Sequence, residues 1–274
     1  MDPRFTDRPA TAADHATFTR LFAELGVDDP PPSLEAWMAD TAETTRMLEA
    51  EGRVVGYGTS HMLGSIGFVS MLVIDPGERL RGAGRALMHC MAAGFRALGC
   101  AEWALHVKVD NEPAVRLYRS LGLEPQYTAT VFRLAWDAVA RLPREDGAFA
   151  LKAIEAGDEA ALEALFRLLP GRLAAQWRRA GRVQRQLVET RASGDVCVGV
   201  VSSATSFLHV TPFRMARPAL APWLLDALRP FAKPDDGGVG LVVEDDAALA
   251  EVIAAAGSEM RFAMHLLRGP LPQE

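Results

Sequence analysis

Between an apolar run and a helix-forming run the chain carries Val73-Ile74-Asp75-Pro76-Gly77-Glu78-Arg79-Leu80-Arg81-Gly82-Ala83-Gly84-Arg85, and no other stretch limits its fold as much. Phe68 to Ile74 is almost unbroken in apolar residues, as a buried strand requires. Leu87, Met91, Phe95 and Leu98 then recur at helical spacing, and Gly99 supplies a C-cap. The chain must therefore pass from strand to helix through a turn rich in glycine and arginine. A helix start leaves N–H groups unpaired, adds the positive end of the helix dipole, and at Gly82 and Gly84 has no Cβ to hold an anion away. Arg79, Arg81 and Arg85 stand where they can neutralise a diphosphate. The turn is not a Walker loop, because no Gly-Lys-Ser/Thr follows, and it lacks both the glycine spacing and the later acidic residue of a dinucleotide fingerprint. A phosphate-bearing ligand of another kind remains.

A second informative block runs from Leu105 to Pro125. Tyr118 sits in a helical stripe with Ala114, Val115, Leu117 and Leu121, where it is either a half-buried core tyrosine or a phenol placed to donate a proton. Asn111 precedes Glu112-Pro113, and proline at the first helical position makes Asn111 a natural N-cap. His106 alternates with Leu105 and Val107, so it faces the opposite side of its strand together with Lys108 and Asp110. It is either structural or a proton acceptor, since an imidazole with an unperturbed pKa of about 6.5 suits that task near neutral pH.

The two blocks, in this order, resemble the GNAT superfamily of acyl-CoA-dependent N-acyltransferases. That family's central motif runs valine, any residue, proline, then Arg/Gln-x-x-Gly-x-Gly/Ala; here it reads Ile74-Asp75-Pro76, then Arg79-Leu80-Arg81-Gly82-Ala83-Gly84. The resemblance implies that Val73 and Ile74 offer strand backbone to the pantetheine arm of acetyl-CoA, the co-substrate, and that Arg79, Arg81, Gly82, Ala83, Gly84 and Arg85 hold its diphosphate. It implies a cofactor contact for Asn111 as well as the cap, and for Tyr118 protonation of the departing thiolate. His106 lies five residues before Asn111, where some amine acyltransferases resembling this chain carry a glutamate base; His61, Asp75 and Ser70 are weaker candidates for that role. Transfer is direct, without a covalent enzyme intermediate, and no metal is called for. The acceptor is a primary amine of a small molecule or a protein. The alternative is a non-catalytic, regulatory module that binds acyl-CoA.

The 274 residues leave room for two domains, and the segment from Phe149 echoes the one from Phe5 in a single register: Phe5 with Phe149, Asp14 with Asp158, Leu21 with Leu165. Later, Gly257 set against Gly122 puts Asp246 at Asn111 and Ile253 at Tyr118, while Pro212 set against Pro76 puts Pro218 at Gly82 and Leu220 at Gly84. Proline has no N–H and leucine brings a side chain, so the second copy keeps the scaffold and loses the anion turn. The expected fold is α+β: two tandem GNAT-like domains, each a mixed, mostly antiparallel sheet flanked by helices. Residues 1–138 form the acyl-CoA-binding domain, 139–147 a linker, and 148–274 the degenerate copy. A hairpin is expected over Thr45–Met62 with its turn at Glu51-Gly52, and a helix break at Asp28-Asp29-Pro30.

A formal charge of -6 without a basic stripe argues against nucleic acid, and Arg178-Arg179-Ala180-Gly181-Arg182 reads as solvated surface. Cys90, Cys100 and Cys197 lack metal-site spacing and cannot all pair, which suits a reducing cytoplasm, with burial the expected role of the first two. No stretch reads as a signal peptide or a membrane span. Oligomeric state is not legible.

Overall fold

The computed structural model describes residues 2–27, 30–177, 181–233 and 236–273. Contacts divide the chain into two units, Met1–Gln126 with Leu266–Glu274, and Tyr127–His265. The expected division fell at 139–147; the units instead divide at Gln126, and the first takes in the 266–274 segment.

In the first unit the element order is β1 (Phe5–Pro9), α1 (His15–Phe22), α2 (Leu34–Asp40), β2 (Thr45–Ala50), β3 (Arg53–Leu63), β4 (Ile66–Ile74), α3 (Ala83–Ala97), β5 (Glu102–Lys108) and α4 (Glu112–Arg119). The strands lie in the order β1-β2-β3-β4-β5, antiparallel except for the β4–β5 pair, and residues 266–270 of β12 (Glu259–Pro270) come next to β5. That last segment is tied in by Leu271 N–H donating to the Ala101 carbonyl at 3.0 Å, by Arg268 on Glu102 at 2.6 Å, and by Leu267, which is fully buried. Two cores form, one on each sheet face. Phe18 of α1 and Trp37 of α2 pack on Tyr57 and Val73. On the other face Leu87, Met91 and Phe95 of α3 and Tyr118 of α4 pack on Val69, Ile74, Leu105 and Val107; of the stripe predicted from spacing only Leu98, at the helix end, stays out of this core and is 66% exposed.

Asp14 starts α1. It accepts from both Arg8 Nη atoms, from Thr11 N–H and from Thr11 Oγ1, each at 2.8 Å, while only 7% exposed. The Arg8 guanidinium, helped by Thr11 and opposed by burial, lowers its carboxyl from 3.8 to about 2. A depressed folded pKa contributes stability that is full above the unfolded value and lost as pH falls toward 2. Asp14→Asn is therefore expected to lower unfolding free energy by about 2 kcal/mol at pH 7, with the gap closing between pH 4 and pH 2. Urea unfolding at pH 7 and pH 3 checks this; a gap that does not narrow contradicts it.

The second unit repeats the order with β7 (Phe149–Ala153), α5 (Glu159–Leu165), α6 (Arg172–Trp177), β8 (Arg182–Arg191), β9 (Gly194–Ala204), β10 (Phe213–Met215), α7 (Ala221–Leu228), β11 (Gly238–Glu244) and α8 (Ala247–Ala255). Strands β10-β9-β8-β7 form one sheet, while residues 127–135 of β6 (Glu124–Ala135) pair antiparallel with β11. The sequence echo has structural content. Phe5 and Phe149 each open the first strand, and Asp158 accepts from Glu155 N–H as Asp14 accepts from Thr11 N–H. The 139–147 segment lies within this unit and is fastened there, by Arg144 on Asp226, Glu145 on Arg217, and the Trp223 indole N–H on the Glu145 carbonyl. Of the arginine run, Arg182 begins β8 and bonds Ser202, whereas Arg178, Arg179 and Ala180 lie outside the described residues, as do Asp28 and Asp29. Among the described residues no helix is long and apolar enough to cross a membrane.

Candidate functional site

The site of the first unit begins where a ladder stops. β4 and β5 pair from Ile66↔Glu102 to Val69↔Leu105, yet β4 continues to Ile74 and β5 to Lys108. Beyond Val69 the two strands leave their ladder, and residues 70–74 present about 13 Å of strand edge at roughly 3.3 Å per residue. The cause is local. In the β3–β4 pair Ser60 meets Val69 and Thr59 meets Met71, so Ser70 is an extra residue extruded as a bulge. The bulge reverses side-chain parity: Val69 and Ile74 share the α3 core, while Val73 lies in the α1–α2 core.

At the far end of this opening lies the turn. Asp75 caps a single 3-10 turn, Pro76–Glu78, by accepting from Gly77 N–H at 3.1 Å, and pairs with Arg20 at 3.0 Å. Leu80 then adopts φ +61° with its side chain 96% exposed, and Gly82 adopts φ +94°. The first intrahelical bond of α3 runs from Ala86 N–H to the Gly82 carbonyl at 2.9 Å, so the N–H groups of Ala83, Gly84 and Arg85 precede the helical ladder. Left-handed residues leading into an uncapped helix form an anion-binding backbone concavity.

The two glycines have different reasons to be there. Gly82 is required by its φ. Gly84 is set by packing: a Cβ on it would lie 3.1 Å from Leu117 Cδ2, so Leu117 would have to give by a few tenths of an ångström. Gly84→Val is expected to cost about 1–3 kcal/mol through overpacking, partly relieved in the Gly84→Val/Leu117→Ala double variant. Thermal unfolding of the three variants checks it; equal destabilisation with and without Leu117 would contradict the packing account.

The arginines are not equivalent. Arg79 donates through Nε to the Ile74 carbonyl at 3.1 Å and pairs with Glu24 at 2.7 Å, so it braces the turn. Arg85 reaches Ser120 Oγ at 2.8 Å. Arg81 extends into solvent, with Glu78 at 3.8 Å. Arg4, unremarked in the sequence, donates to the Arg81 carbonyl at 3.1 Å while its guanidinium pairs with Asp2 at 2.7 Å.

Tyr118 and Asn111 come in from α4. Asn111 Oδ1 accepts from Ala114 N–H at 3.3 Å, which is the N-cap. Tyr118 is buried in the core that includes Ile74 and Val107, and burial raises its phenol to about 12. On the opposite face stand two histidines. His61 on β3 is paired with Phe68 on β4, and its Nδ1 lies 2.8 Å from Ser70 Oγ. The Phe68 ring neighbours both imidazoles, its centroid 5.2 Å from His61 and 5.6 Å from His106. Lys108, two residues beyond His106, donates to the Gly26 carbonyl at 2.6 Å and so ties down the start of the α1–α2 connection. Asp75 is committed to Arg20 and Gly77. Burial, with Asp7 beside it, pushes the Cys90 thiol up to about 12, so Cys90 is no nucleophile at neutral pH.

The second unit holds the corresponding residues with other contents. Asp246 caps α8 by accepting from Leu249 N–H, as Asn111 caps α4, and Ile253 is fully buried where Tyr118 would be. Val210 bridges Leu241 in parallel, the counterpart of the β4–β5 pair. Beyond it, Arg214 donates to the Glu244 carbonyl, and the Glu244 carboxylate binds Arg172 at 2.9 Å and the Tyr127 hydroxyl at 3.3 Å. Leu220, Ala221 and Pro222 bury the start of α7. Side chains occupy both the opening and the helix start.

The acetyltransferase (GNAT) family model matches residues 13–123, inside the first unit. The chain is 30% identical over 142 residues to an aminoglycoside N(6')-acetyltransferase type 1 of Stenotrophomonas maltophilia, a match covering 47% of this chain and 92% of that protein. It is 39% identical over 104 residues to a mycothiol acetyltransferase of Clavibacter sepedonicus, covering 37% of this chain and 33% of that one. In fold it is similar to a tandem GNAT protein from the clavulanic acid biosynthesis pathway, with TM-score 0.62 at 19% identity over 98% of this chain and 99% of that one.

Proposed function

Because this chain belongs to the GNAT family of acetyltransferases, and is an acyl-CoA-dependent N-acetyltransferase by that membership, we propose that residues of its first unit pass an acetyl group from acetyl-CoA to a primary amine of a small molecule or a protein. One arrangement carries this reading: a strand pair opened at Ser70, an uncapped helix start at Gly82, and a buried phenol packed beside the same strand. The name of the Stenotrophomonas relative, an N-acetyltransferase of an aminoglycoside, supports an amine acceptor.

Residues 70–74 hold the pantetheine arm along the opened edge, and Ala83, Gly84 and Arg85 N–H groups hold the diphosphate, with Arg81 adding positive charge. A backbone N–H released at the Ser70 bulge meets the negative charge that develops on the thioester oxygen, a type of donor worth about 3–4 kcal/mol. Holding the amine nitrogen about 3 Å from the carbonyl supplies much of the rate. As the C–N bond forms and the C–S bond breaks, the ammonium proton is received on the face that carries His106 and His61. Tyr118 approaches from the other face. Its phenol, raised to about 12, stays protonated through the neutral range and donates to the departing sulfur. The thiolate is the weaker base, with a thiol reference pKa of about 8.5, so Tyr118 stabilises it by hydrogen bonding and the net proton comes from the amine.

A panel of primary amines, followed by release of free thiol from acetyl-CoA, tests the reading. Thiol release in step with acetylated amine is expected, and acetyl-CoA binding without release for any amine would count against transfer.

A further inference from the structure

We infer that His61, held by Ser70, is the group that takes the proton from the attacking amine; the inference rests on the transfer reading above and assigns its proton acceptor. Ser70 is the bulge residue and the first residue of β4 past the last β4–β5 pair, so its exposed side chain stands at the closed end of the opened strands. That end lies opposite the diphosphate turn, where the acyl carbon must be if the other end of the arm is at Gly82. His61 reaches this side chain directly, with Nδ1 2.8 Å from Oγ. His106, the residue after Leu105 on β5, meets the edge of the same Phe68 ring with its centroid 5.6 Å away.

A serine oxygen that accepts from Nδ1–H selects that tautomer and leaves Nε2 as the lone-pair nitrogen. The assignment requires Nδ1–H to be the donor in the His61–Ser70 pair; with that tautomer the bond sets the ring orientation and leaves Nε2 as the basic nitrogen a general base needs. In the reaction His61 Nε2 gains the amine proton as the C–N bond forms, the C–S bond breaks with its electron pair going to sulfur beside the Tyr118 hydroxyl, and the His61 proton passes through water to the thiolate, giving free thiol. Ser70 acts through His61 and is a positioning residue.

Chemical rescue and tautomer measurement test the assignment. His61→Gly is expected to lower kcat by about a hundredfold or more, and added imidazole is expected to restore at least about tenfold of it. His106→Gly should show no such rescue. Ser70→Ala should lower kcat by about tenfold with acetyl-CoA affinity by calorimetry unchanged, and Ser70→Thr should recover most of the loss. Nitrogen NMR of the ligand-free protein should show His61 as the Nδ1–H tautomer and a loss of that preference in Ser70→Ala. The assignment is overturned if His61→Gly keeps kcat within about threefold, if its loss is not rescued, if His106→Gly is the rescued variant, or if wild-type His61 carries its proton on Nε2. An inactive wild type would sink the transfer reading and this assignment with it. An active wild type indifferent to His61→Gly would sink the assignment alone.

Discussion

Gly82→Pro is expected to raise the dissociation constant for acetyl-CoA by at least about a hundredfold, close to 2.7 kcal/mol. Gly82 sits at φ +94°, and proline is locked near about −65°, so the substitution must swing the chain between Arg81 and Ala83. The N–H groups of Ala83, Gly84 and Arg85 then no longer face one point, and the backbone concavity is lost while the α3 core from Ala86 onward keeps its contacts. Gly82→Ala should do less, about 1–2 kcal/mol, because it adds only the left-handed strain of an L-residue. Arg81→Ala should weaken binding only severalfold, since an exposed guanidinium in high dielectric is worth about 1 kcal/mol or less. Calorimetry with acetyl-CoA, with circular dichroism to check folding, separates backbone from side-chain charge. Folded Gly82→Pro protein that binds within about threefold of wild type would refute the cradle.

The second large effect is kinetic. Tyr118→Phe is expected to lower kcat by about 10²–10³ while acetyl-CoA affinity stays within about twofold, because the phenyl ring refills the buried volume and only the donor is removed. Wild-type rate should show no alkaline decline attributable to Tyr118 below about pH 10: its folded pKa is raised to about 12, so the proton required for donation is retained until then. A module that only senses acyl-CoA predicts instead that Tyr118→Phe changes nothing. Stopped assays of thiol release across pH, on both proteins, distinguish the two.

Some of this site could be read from local chemistry. The strand–turn–helix passage at 66–97, the glycine at 82, the Asn111 cap and the match of Asp14 with Asp158 all depend on residues within a few positions of one another. The pairing of Asn111 with Asp246 and Tyr118 with Ile253 survived for the same reason, since both rest on the glycine that ends each helix, at φ +85° for Gly122 and +88° for Gly257. The Ser70 bulge left a faint trace, a polar residue interrupting Phe68-Val69 and Met71-Leu72. Nothing in that interruption says which strand edge opens. Arg79 pairs with Glu24 and the Ile74 carbonyl, contacts the sequence did not show, because Glu24 is 55 residues away and no spacing rule reaches it.

What the sequence by itself determined is conformational and periodic: where a glycine ends a helix, which residues cap helices, which faces are apolar, and that the second copy lacks the anion turn. Those properties are set by the steric and hydrogen-bonding character of each residue within one turn or one strand. Tertiary structure alone decided where β4 parts from β5, that Gly84 is small for Leu117, that residues 266–274 complete the first unit rather than the second, and that Arg214 and Glu244 fill the second unit's opening. Each of these is a contact between segments far apart in the chain, selected by how whole surfaces fit, so it exists only once the strands have taken their register.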